Sequence, residues 1–113
     1  MDVERKKYRE SIRVKLISWG FDFSNIGTQE FLEIIDFICN QKDYKKFLAN
    51  LEEYVYKEVA KALGKNYYTL KSNITKVTRK VYEEKCLENK INRYKSMGPK
   101  TVISNIVYKL RTN

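Results

Sequence analysis

Between Glu58 and Glu83 the sequence places six cations, Lys61, Lys65, Lys71, Lys76, Arg79 and Lys80, with no acid among them. After Glu88 a second acid-free run carries Lys90, Arg93, Lys95, Lys100, Lys109 and Arg111. Ammonium and guanidinium groups gathered in this way bind anions, and repeated along one surface they match the phosphates of a nucleic acid. The excess is local. Residues 1–56 hold 9 Lys and Arg against 10 Asp and Glu, whereas residues 57–113 hold 14 against 4. A solvated helix face ordinarily mixes signs, because opposite charges three or four residues apart stabilise it and like charges repel. Tolerance of that repulsion points to an anionic partner, although a basic surface also serves solubility alone.

Other chemistry finds little to work with. The absence of His removes the commonest general base, the commonest transition-metal ligand and every Ser-His or Cys-His pair. Cys39 and Cys86 belong to no CxxC spacing and are too few for a disulfide scaffold or a closed zinc site. They are expected as free thiols in a reducing compartment. The acid pairs Glu52/Glu53 and Glu83/Glu84 are adjacent, so each splits by about 100° around a helix instead of converging on a cation. No cofactor or metal is expected, and the chain reads as a binding protein, not an enzyme. The charged start Met1–Lys7 leads into no apolar stretch, and no apolar run approaches the ~18 residues of a membrane span. A cytoplasmic protein without membrane contact is expected.

The elements that must position these cations are helical. Residues 1–113 suffice for a single domain, and four Gly and one Pro are too few turn formers for a β-rich chain. Tyr8, Ile12, Leu16 and Trp19 keep a helical spacing that stops at Gly20. Thr28 is the expected cap of a second helix, whose Phe31, Leu32, Ile34, Ile35 and Ile38 surround it so fully that it should be the central one. Leu48, Leu51, Val55, Val59 and Ala62 mark a third helical region, split near Ala49-Asn50 and closed by Gly64. Asn66 caps a fourth helix striped by Leu70, Ile74, Val77 and Val81. A short turn is expected at Cys86–Ile91. After Gly98-Pro99 a last helix carries Ile103, Ile106, Val107 and Leu110. The fold expected is all-α, a compact bundle of five to six helices containing a helix-turn-helix.

That helix-turn-helix should span about residues 52–83. Two helices can cross closely where a small residue, Ala60 or Ala62, sits at the contact, and Gly64 supplies the positive φ of the tight turn. The second helix, about residues 66–83, would enter the major groove. At ~100° per residue the core stripe lies within about 40° of one pole. Tyr68, Ser72, Thr75 and Arg79 fall near the opposite pole, with Lys71 and Lys76 on its flanks. Each can hydrogen-bond a base edge or a phosphate. The residues expected on DNA are Lys65, Asn66, Tyr68, Lys71, Ser72, Thr75, Lys76, Arg79 and Lys80. The N-terminal cations Arg5, Lys6, Lys7 and Arg9 admit two readings, an arm on DNA and, the one preferred, the solvated face of the first helix.

These residues bring out a resemblance over about residues 11–111. Ser11-Ile12 through Ile17 with Gly20, Ile26-Gly27 with Phe31, Leu32, Ile34 and Ile35, and the run Val55–Leu63 follow one another as in a known domain. So do the Leu70-x-x-x-Ile74 spacing, Val81-Tyr82, Pro99 and the ending Lys109-Leu110-Arg111. The chain resembles the DNA-binding effector domain of the stage-zero sporulation response regulator of spore-forming bacteria. The resemblance implies a six-helix bundle around a helix-turn-helix, double-stranded DNA as partner, and RNA polymerase or a sigma factor as protein partner. It also implies a monomer in solution that pairs on tandem sites.

The departures shape the expected function. The family's base-reading run Glu-Arg-x-x-Arg-His falls on Lys71, Ser72, Thr75 and Lys76, so both guanine-reading arginines are replaced, by Ser72 and Thr75. The segment before the last helix is shorter, and the chain has no room for the family's phosphoacceptor domain. A transcriptional regulator is therefore expected to discriminate the family's site weakly or to prefer another. The alternative is an effector-like domain that has become a protein–protein interaction module without specific DNA binding.

Overall fold

The structure is a computed structural model that describes residues 3–89 and 98–112. The first apolar stripe produces α1 (Val3–Ser18), which buries Ile12 and Leu16 and rests Tyr8 on the same core. In the loop that follows, Phe21 stacks on Phe31 with ring centroids 4.8 Å apart. The cap of α2 (Ile26–Cys39) is Asn25 and not Thr28: Asn25 has extended backbone (φ −90°, ψ 129°), and its Oδ1 accepts the Gly27 N–H at 2.7 Å. Thr28 lies inside the first turn and is wholly buried. As its all-round apolar pattern predicts, α2 is central and touches every other helix. Gly27 permits its closest approach, since a Cβ there would stand 3.2 Å from the Asn73 carbonyl oxygen of α5.

Two of the N-terminal cations expected in solvent are tied down instead. Arg5 and Arg9 both donate to Asp36 Oδ2, at 3.0 and 2.9 Å, and Arg9 also pairs with Glu33. Asp36 is 3% exposed, and its other oxygen accepts from Asn40 at 3.0 Å. A carboxylate buried on the central helix needs such partners, and α1 supplies them. Lys6 and Lys7 remain exposed.

The third helical region divides as expected. α3 (Tyr44–Ala49) ends at Asn50, whose backbone is non-helical (φ −142°, ψ 64°). The chain re-enters a helix at Leu51 through a π-helical turn, Glu52–Tyr56, in which the Lys57 N–H reaches back to the Glu52 carbonyl. It continues directly into α4 (Lys57–Leu63). Beyond that wider turn the buried line runs through Val59 and Ala60, and Ala62, expected on the stripe, is exposed. α5 (Tyr67–Asn89) passes Glu83-Glu84 without a break, where a separate turn at Cys86–Ile91 was expected; the part beyond Asn89 lies outside the described residues, as do Lys90, Arg93, Tyr94 and Lys95. α6 (Pro99–Thr112) buries Val102, Ile103, Ile106 and Val107. The result is a compact all-α bundle of six helices, with no strand among the described residues. Its radius of gyration, 13.6 Å, is close to the ~13 Å of a single domain this long. No helix among the described residues is long and apolar enough to cross a membrane.

Gly64 closes α4 in the left-handed conformation (φ 66°, ψ 33°). The Lys65 N–H bonds to the Ala60 carbonyl at 2.9 Å and the Gly64 N–H to the Lys61 carbonyl at 3.2 Å, the double bond pattern of a Schellman turn. A Cβ at Gly64 would meet nothing within 4 Å, so only backbone strain opposes one. Gly64→Ala is expected to lower unfolding stability by about 1–2 kcal/mol, with Gly64→Asn losing less, in urea titrations. Equal loss for both would point to a steric cause and contradict this reading.

Candidate nucleic-acid interface

Three residues, Gly64, Lys65 and Asn66, connect α4 to α5. Asn66 caps α5 as predicted: its Oδ1 accepts the N–H groups of Tyr68 at 2.8 Å and Thr69 at 3.2 Å. These bonds occupy its Oδ1, whereas the exposed side chain keeps its amide donors. Of the two small residues expected at the crossing, Ala60 is buried and Ala62 is exposed. Leu70, Ile74, Val77 and Val81 are all buried, as their spacing predicts.

Thr78 is buried with them, and this turns α5. Its hydroxyl is satisfied locally by the Ile74 carbonyl at 2.7 Å, so it joins the core at little cost. Thr78 stands roughly 80° from Leu70 on a helical count, and including it swings the exposed arc away from the Lys71 side. The residues facing outward are Tyr68, Thr69, Ser72, Lys76, Arg79 and Lys80. Tyr68 is 76% exposed, with its ring 4.9 Å from that of Tyr67, which packs against the core. Among the described residues, Lys76, Arg79 and Lys80 have no ion-pair partner. The Asp22 carboxyl is held below the usual range by Ser24 hydrogen bonds and, more weakly, by the charge of Lys80.

Three other residues expected on DNA are engaged elsewhere. Lys65 donates to Glu30 Oε2 at 2.6 Å. Glu30 is 2% exposed on α2, and Asn73 of α5 donates to its other oxygen at 2.9 Å. One buried carboxylate thus pins α2, the turn and α5 together. Lys71 is half-buried and paired with Glu52 of the π turn. Its hydrogen bond holds the Glu52 carboxyl below, and the Lys71 ammonium above, its ordinary value. Thr75 is half-buried too, and its hydroxyl donates to the Lys71 carbonyl at 2.9 Å. Lys71 and Thr75 line an open groove of about 410 Å³ with Leu51, Tyr56, Pro99 and Lys100.

Sequence reasoning therefore finds the helix and most of its outward face but misses four participants. Thr69 was within reach, because the same ~100° count places it beside Lys76. Glu30, Asn73 and Glu52 carried no local signal. Among the described residues no cluster of His, Cys, Asp and Glu is arranged to hold a metal ion. Comparison with family models, curated proteins and solved structures finds no match to the chain.

Proposed function

We propose that this chain is a DNA-binding transcriptional regulator in which α4, the Gly64 turn and α5 act as a helix-turn-helix and α5 enters the major groove of double-stranded DNA. One observation carries the reading. From Tyr68 to Lys80 the outward arc of α5 presents three cations without an ion-pair partner among the described residues, two hydroxyls and an exposed tyrosine, with no acid. Cations anchor the phosphate backbone and hydroxyls bond base edges, so one helix offers both kinds of contact. The order of apolar positions that resembles the sporulation effector domain supports the same reading.

Ser72 stands outward and Thr75 does not, so neither supplies the bidentate guanine contact of an arginine, each worth ~1–3 kcal/mol of discrimination. The family's site is recognised weakly, and any preferred site differs from it. The chain is a monomer in solution, because its core is closed within one copy and its exposed apolar residues are scattered over several elements. Two copies pair on tandem half-sites to cover enough base pairs, and the bound pair acts on RNA polymerase or a sigma factor.

Titrating an isotope-labelled chain with a mixed-sequence duplex tests the reading. Amide shifts should concentrate in residues 66–80 and spare α1 and α3. Light scattering without DNA should return the 13.5 kDa monomer. Shifts centred on α1 or α3, or no shifts at low salt, would favour the interaction-module alternative.

A further inference from the structure

Lys71 and Lys76 belong to the same half of α5, yet the structure treats them differently. Lys76 is exposed and has no ion-pair partner among the described residues. Lys71 is bonded to Glu52 of the π turn. Glu52 is the first residue of the π turn, and that turn packs against α5 before α4 begins. Thr75 closes the same side, because its hydroxyl is already bonded to the Lys71 carbonyl.

We propose that Glu52 trims the duplex-contact surface of this protein: it withholds Lys71 from the phosphate backbone, leaving the contact to the arc that includes Ser72, Lys76, Arg79 and Lys80. The inference rests on the DNA-binding reading. An exposed ion pair is a weak latch in water, with side-chain exposures of 44% and 52% here. Beside a polyanion the balance changes. To reach a phosphate, Lys71 must leave Glu52 unpaired next to like charge, and that repulsion keeps the pair closed. Glu52 therefore shapes the footprint without touching the duplex.

Salt dependence counts phosphate contacts at ~0.9 per contact in the slope of log K against log salt, so a double-mutant cycle reads the effect directly. Wild type, Glu52→Gln, Lys71→Gln and the double variant are titrated against one labelled mixed-sequence duplex. All four should melt alike, because both side chains lie at the surface. Lys71→Gln alone is expected to leave the slope unchanged. Glu52→Gln should steepen it by about 0.9 and tighten binding roughly fivefold or more near 0.1 M salt. Adding Lys71→Gln to Glu52→Gln should return the slope to the wild-type value.

A loss of about 0.9 from Lys71→Gln alone would mean that Lys71 already contacts phosphate, and would overturn the inference. It would also fall if the gain from Glu52→Gln survived in the double variant, since simple charge removal would then explain it. Either result leaves DNA binding intact. Absence of salt-dependent binding in wild type and all variants would sink the DNA reading itself, and this inference with it.

Discussion

Lys65→Met is expected to lower unfolding stability by about 2–4 kcal/mol, a large share of the ~5–15 kcal/mol of an ordinary domain. The substitution keeps the bulk of the side chain and removes its charge. Glu30, 2% exposed, would then retain Asn73 alone as partner. Stranding one member of a buried pair costs about 3–5 kcal/mol, discounted here because the Lys65 side chain is 34% exposed and water reaches its end of the bond. Urea unfolding followed by circular dichroism measures the loss. Adding Glu30→Gln should recover most of it, because a neutral amide still bonds Asn73 and leaves no buried charge. A Lys65→Met chain as stable as wild type would mean that the bridge does not hold the turn, and would return Lys65 to the residues available for DNA.

The second large effect falls on binding. Replacing Lys76, Arg79 and Lys80 together by Gln should weaken duplex affinity by on the order of 10²–10³ near 0.1 M salt, because three phosphate contacts of ~0.9 each leave the salt dependence. The fold should be unaffected, since all three side chains are exposed and have no ion-pair partner among the described residues. Unchanged melting with lost binding separates a contact role from a structural one. Unchanged binding would place the contact surface elsewhere on the molecule.

The two sets of lysines show what the sequence can and cannot tell. Leu70, Ile74, Val77 and Val81 announce the buried side of α5 by spacing alone, and Asn66 and Gly64 announce where it starts and where α4 stops, because caps and turns are local chemistry. The all-round apolar pattern of α2 likewise marks it as central. The partners of the cations are not local. Lys65 meets Glu30 across 35 residues and Asn73 meets it across 43, so the residues that face outward from α5 and those that brace the turn share one composition. The π turn is equally silent in sequence, yet Glu52 at its start pairs with Lys71, and beyond it Ala62 is exposed. Thr78 reads as polar, but its hydroxyl bonds its own helix, and its burial settles which residues of α5 face outward. In α2 the misplaced cap has a simple origin. Asn25 and Thr28 are both good cap residues, and the choice falls to the one whose backbone the preceding loop holds extended.

The central claim, that the outward arc of α5 binds duplex DNA, is tested most directly by fluorescence anisotropy of a labelled mixed-sequence duplex titrated with the wild-type chain over a range of salt. With Lys76, Arg79 and Lys80 outside any ion pair among the described residues and Lys65 and Lys71 engaged, the expected slope of log K against log salt is about −3, falling nearly to zero in the triple variant. A wild-type chain that leaves the anisotropy unchanged at low salt, or a triple variant that keeps the wild-type slope, would contradict the claim.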